Sequence, residues 1–205
     1  MENCTGTNIY ACENGQQGIY FKGRNAHIDI RGIQANRNGY SGIFFDNPTG
    51  EGEETHCHVS LQGYAVSNGL DGVRIVGSTS TSEEQHARCI VLSINAMGNN
   101  WTGIALTGYD VNHLVRYVVI HDCIILDNGK AASNEYNGIL LWMAQHCQIN
   151  NVLIDGNNRQ AWGIREGTDC GYNIISNCNM WNCLTGGIYR NAASTYVTNC
   201  YNGTN

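Results

Sequence analysis

Asp46, Asp71 and Arg74 are the residues of this chain whose types and spacing best suit bond-breaking chemistry. Paired carboxylates are what glycoside hydrolysis requires, one to protonate the leaving oxygen and the other to act as nucleophile or base. The same residues also make an ordinary cross-strand ion pair, so both readings stand until the elements around them are placed. A second set is aromatic: Tyr20, Phe44, Trp101, Trp142, Trp162 and Tyr189, with Arg165 among them. Flat rings with a polar edge stack on sugar faces, which makes this set the expected substrate contacts; surface rings serve equally well at a subunit interface.

Other chemistries have less to work with. The sequence has no nucleotide-binding loop, no GxSxG elbow and no HExxH helix. The seven histidines lack metal-ligand spacing, His56 and His58 around Cys57 being the one local cluster, so no metal site is expected from them. Two acidic stretches, GEGEE at 50–54 and SEE at 82–84, are read as solvated loops, with a calcium site as the sharper alternative. Calcium is therefore the one cofactor left open.

Composition narrows the class. The 205 residues suffice for one domain with a real core, taken as 1–205. Only 14% are charged, and the net charge of −6 argues against nucleic acid or an anionic membrane surface as partner. No run of 18 apolar residues is present. Glycine (25) and asparagine (27) abound while proline appears once, so the chain needs many turns built without proline.

Those turns recur. Glycine followed by Ile or Val stands at Gly18, Gly42, Gly72, Gly103, Gly138, Gly163 and Gly187, at gaps of 24, 30, 31, 35, 25 and 24 residues. A turn column runs through Asn8, Gly32, Gly63, Ser93, Asp122, Asn151, Asn177 and Asn199. Two residues before it stand Ile30, Leu61, Val91, Ile120, Ile149, Ile175 and Val197; four before it stand Cys4, Ile28, Val59, Cys89, Val118, Cys147, Asn173 and Thr195. One residue after it come Ile9, Ile33, Tyr64, Ile94, Cys123, Val152, Cys178 and Cys200. This alternation predicts strands with one inward face, on which the cysteines pack as small hydrophobes.

Short strands stacked like on like, three per repeat, describe a parallel β-helix of about seven coils and roughly 34 Å. The repeated GI strands, asparagine-rich turns and stacked Ile, Val and Cys positions resemble the pectate-lyase-like superfamily, which includes lyases, hydrolases, epimerases and phage tailspikes. The resemblance implies an all-β, right-handed, single-domain solenoid. It also suggests lyase chemistry, in which carboxylate-bound calcium acidifies a sugar proton that an arginine or lysine removes. The lyase and polygalacturonase motifs themselves are not recognisable here.

On the GI strands the outward positions are Tyr20, Phe44, Arg74, Ala105, Leu140, Arg165 and Tyr189, then Lys22, Asp46, Val76, Thr107, Trp142, Gly167 and Asn191. Tyr40, Asp71, Trp101, Tyr136 and Trp162 border them just before the glycines. The leading expectation is a polysaccharide- or oligosaccharide-binding protein of the lyase or hydrolase kind, extracellular or on a virion surface. The alternative is a non-catalytic tailspike-like, adhesin or structural rod.

The chain opens and closes inside a coil, so a segment of a longer β-helix is expected, or ends and aromatic face that self-associate. Within 151–167, Arg165 is expected outward and Glu166 inward, where Arg190 one coil on is placed to pair with it; a bulge that turns Glu166 outward is the catalytic alternative. Asn173, Thr195 and Asn202 extend that polar character at the C-terminal end.

Overall fold

The computed structural model describes residues 2–22, 25–47, 56–77, 90–108 and 114–203. They form an all-β structure in which every strand pairing is parallel, with no helix among the described residues. Parallel pairing between segments one repeat apart makes it a β-solenoid.

One sheet holds the seven GI strands: Ile19–Lys22, Ile43–Asn47, Val73–Gly77, Ile104–Thr107, Ile139–Trp142, Trp162–Glu166 and Gly186–Tyr189. Its register places Tyr20, Phe44, Arg74, Ala105, Leu140, Arg165 and Tyr189 in one outward row, as the glycine spacing predicts. The inward rows stack Ile on Ile and Phe21 on Phe45, whose rings lie 4.5 Å apart. Burying each such side chain contributes roughly 1.5–3 kcal/mol.

The remaining long pairings form a twelve-stranded sheet that forks. On the N-terminal side the strands are long, as in His56–Val66 and Ile90–Met97. Beyond Ile90–Met97 the sheet splits, because Val118–His121 and Ile124–Leu126 both pair with that strand. Asp122, between them, has φ of 53°, and Asn8, Gly32, Asn151, Asn177 and Asn199 adopt the same left-handed conformation. One such residue turns the chain without proline, and Asn, Asp and Gly tolerate it best.

The repeats containing Gly63 and Ser93 have no such corner, which corrects part of the column reading. Two residues lie between Ile30 and Ile33, but only one lies between Leu61 and Gly63 and one between Leu92 and Ile94. With one residue fewer, Gly63 takes the inward seat and Tyr64 turns outward, 47% exposed. A Cβ at Gly63 would sit 2.2 Å from the Ile33 carbonyl oxygen, so the seat admits only glycine. Likewise Ile90 and Leu92, not Val91, face the core, and Cys89 lies outside the described residues.

The cysteines pack as expected. Cys123, Cys147 and Cys178 are buried, while Cys4 and Cys200 are half-buried. Cys123, Cys178 and Cys200 each donate to the carbonyl two residues earlier, at 3.2, 3.1 and 3.3 Å. Burial pushes the Cys123 and Cys178 thiols up to about 12, which leaves them protonated and unreactive.

A buried ladder of amides leads into the GI sheet. Asn38, Asn68, Asn99 and Asn128 are each at most 2% exposed, and every amide nitrogen of the first three donates to the next Asn oxygen at 2.8–3.0 Å. The same nitrogens also donate to the carbonyls of Ala11, Ala35 and Ala65. This ladder fixes the chain just ahead of Asp71 and Trp101. For Asn38, Asn68 and Asn99 its signal is Asn four residues before the repeat glycine, in NGYSGI, NGLDGV and NNWTGI, a column distinct from the turn asparagines, whereas Asn128 stands ten residues before Gly138.

Candidate functional site

The seven-stranded sheet carries a cleft of about 250 Å³ near its middle. Asp71 and Arg74 form one wall, where Arg74 Nη1 lies 3.4 Å from Asp71 Oδ2. Asp71 is only 2% exposed, and its Oδ1 accepts the Thr102 main-chain N–H at 3.0 Å. Burial raises its carboxyl to about 6, outweighing the Arg74 charge and the Thr102 hydrogen bond, which pull the other way.

Asp71 belongs to a row that runs Ser41, Asp71, Thr102, Asn137 and Trp162, each one residue before the repeat glycine and linked in register by the glycine N–H groups. All but Trp162 are buried. The neighbouring row is Tyr40, Leu70, Trp101 and Tyr136, so the rings bordering the glycines belong to two rows rather than one. Trp101 and Tyr136 stack at 5.5 Å with planes 9° apart. Burial, then the charges of Glu135 and Asp71, raise the Tyr136 phenol.

The opposite side of the cleft is Trp142, with Arg165 beyond Leu140. The Trp142 ring lies directly over Gly167, where an added Cβ would come 2.1 Å from Cε3. Two buried polar atoms of cleft-lining residues, Arg74 Nε and Asn137 Oδ1, have no hydrogen-bond partner. Such atoms cost about 1–3 kcal/mol each when left unsatisfied.

Of the residues expected from the sequence, Asp71, Arg74, Trp101, Trp142 and Arg165 meet in this cleft. Asp46 does not join them. It pairs with Val76, five residues along the strand from Asp71, or roughly 16 Å at the strand rise. Its carboxylate instead accepts the Tyr20 hydroxyl, and that hydrogen bond, followed by burial and the carboxylate charge, raises the phenol to about 12. Tyr20 stacks on Phe44 toward one end of the sheet, and Trp162 tilts against Tyr189 at the other.

Glu135, exposed at the cleft rim, is the carboxylate that sequence reasoning missed. Glu166 faces the core as expected and is fully buried, but the ion pair with Arg190 does not form. Its Oε1 accepts Thr195 Oγ1 at 2.6 Å and Asn173 Nδ2 at 3.0 Å. Arg190 is exposed and donates to the Thr195 carbonyl, because neutral donors already fill the buried carboxylate. Asn173 and Thr195 are buried, and Asn202 reaches inward against Gly187 at the exposed last repeat.

The acidic stretches at 50–54 and 82–84 lie outside the described residues. Among the described residues no group of three or more His, Cys, Asp or Glu is placed to hold a metal ion. His58 is exposed and stacks on His27 at 4.9 Å.

No protein-family model, curated protein or solved structure matches this chain. Its class therefore rests on what the fold and site define, an all-β solenoid of parallel strands with an aromatic, charged cleft on one sheet.

Proposed function

We propose that this protein is a right-handed parallel β-helix of about seven coils, of the pectate-lyase-like kind, that binds and cleaves a polysaccharide on its GI face. One observation carries the reading: a single cleft gathers a buried carboxyl, two arginines and the Trp101, Tyr136 and Trp142 rings. Rings on opposite sides suit the apolar faces of a sugar. Sugar hydroxyls, which both donate and accept, suit the polar and charged side chains of Arg74, Arg165 and Glu135 that line the cleft. The further ring pairs Tyr20–Phe44 and Trp162–Tyr189 extend the same face and favour a polymer over a single sugar.

The test is retention and turnover on a panel of soluble neutral, uronic-acid and amino-sugar polysaccharides, with and without added calcium. Retention that Trp101→Ala weakens supports the reading; no retention on any polymer overturns it.

A second reading, a tailspike-like or structural rod that self-associates, draws on a different face. Ile124, Leu153 and Ile174 project from the twelve-stranded sheet at 41%, 38% and 42% exposure, and Ile124 and Leu153 are paired neighbours. Light scattering after size exclusion, repeated with Leu153→Lys, tests it; a monomer at every concentration counts against it.

A further inference from the structure

We propose that the cleft hydrolyses a glycosidic bond, with Asp71 as general acid and Glu135 as the base that activates water. This rests on the polysaccharide reading and adds to it the reaction class and a carboxylate outside the row from which Asp71 was read.

The two groups share one cleft in unlike surroundings. Asp71 lies in its wall at 2% exposure, whereas Glu135 stands in solvent at its rim. Asp71 holds its proton up to about 6 because burial disfavours the charged form. A pair of carboxyls driven apart by environment is the arrangement that divides acid from base. Arg74 lies 3.4 Å from Asp71 Oδ2 and the Thr102 N–H 3.0 Å from Oδ1, so both steady the carboxylate once its proton has left. Arg165 and the Tyr136 phenol are the other titratable groups facing the cleft.

Separation favours a water between substrate and base. Thr102 is one rung from Asp71, and Asn137, two residues after Glu135, is one rung further. Two rungs place the main chains of Asp71 and Glu135 roughly 10 Å apart along the rod. Widely spaced carboxyls belong to single displacement with inversion, where water must fit opposite the leaving group.

In the step, water oxygen bonds to the anomeric carbon as the bond from that carbon to the leaving oxygen breaks. The Asp71 proton passes to the leaving oxygen and a proton of the water passes to Glu135. Exchange with solvent then restores both groups.

The experiment measures reducing ends, ultraviolet absorbance of unsaturated products, anomeric configuration by NMR, and retention on the same polymer. It compares wild type, Asp71→Asn and Glu135→Gln, with thermal transitions confirming that each folds. Expected are reducing ends without unsaturation, inverted configuration, and a loss of at least about 100-fold in turnover in each variant with retention kept. Wild-type turnover should fall as pH rises through about 6, the limb that Asp71 sets. Unsaturated products, retained configuration, or turnover that survives Glu135→Gln would overturn this inference and leave glycan binding standing. Binding without any bond cleavage would do the same. Absence of retention on every polymer would sink the parent reading instead.

Discussion

Asn99 is joined to Asn68, one repeat earlier, by two hydrogen bonds to a single oxygen: its Oδ1 accepts both the main-chain N–H and the side-chain Nδ2 of Asn68, at 2.9 Å each. Its own Nδ2 donates onward to Asn128 and to the Ala65 carbonyl. An amide accepts two hydrogen bonds from the rung below while donating two others, which a hydroxyl with its single proton cannot do.

Replacing that amide tests the ladder. Asn99→Ala strands the Ala65 carbonyl and the Asn68 N–H in a site with no water access, and each lost partner costs about 1–3 kcal/mol. A loss of about 3 kcal/mol is expected from chemical denaturation. Asn199→Gly, at an exposed turn whose φ of 49° glycine adopts without strain, should change stability by less than about 1 kcal/mol.

Asp71 should make stability depend on pH. Its folded value of about 6 exceeds the unfolded 3.8. Between those values the folded protein holds a proton that the unfolded chain has lost, so stability falls as pH rises from about 4 to 6 and is level beyond. Two units correspond to about 3 kcal/mol. Asp71→Asn removes the charge and should flatten this limb in denaturation midpoints taken from pH 4 to 7. An unchanged limb would assign the dependence elsewhere.

Glu166 is expected to be structural. Glu166→Gln keeps an oxygen for Thr195 and Asn173 and should shift stability by no more than about 1 kcal/mol. Glu166→Ala leaves the Thr195 hydroxyl unpaired beside a cavity and should cost about 2–3 kcal/mol. Polysaccharide retention should not change in either variant, since the carboxylate points into the core.

Gly167 should govern the cleft through Trp142. Gly167→Ala pushes the ring off its seat, because the new methyl occupies the place of Cε3. Retention on the preferred polymer should weaken about tenfold, or roughly 1.4 kcal/mol, with a change in tryptophan emission. Gly15→Ala, where nothing lies within 4 Å of the new methyl, should leave binding unchanged.

The sequence by itself determined the parallel strands and the outward row from Tyr20 to Tyr189, because glycine followed by Ile or Val marks the same strand position in each repeat. It also determined the opposite facing of Arg165 and Glu166, which follows from the two-residue period of a strand. Tyr64 and Val91 were misread for the same reason: one missing corner residue moves a side chain to the other face, and composition does not record the deletion.

Only the tertiary structure decided the site. Asp46 and Asp71 sit on neighbouring repeats, but rung number says nothing of distance along the strand, and that distance keeps them apart. Glu135 lies in an insertion before Gly138, where no repeat column predicts a position; folding brings it to the rim of the cleft that Trp101 and Arg74 also line. Local periodicity fixes which face a side chain takes, whereas a cleft depends on how insertions pack across several repeats.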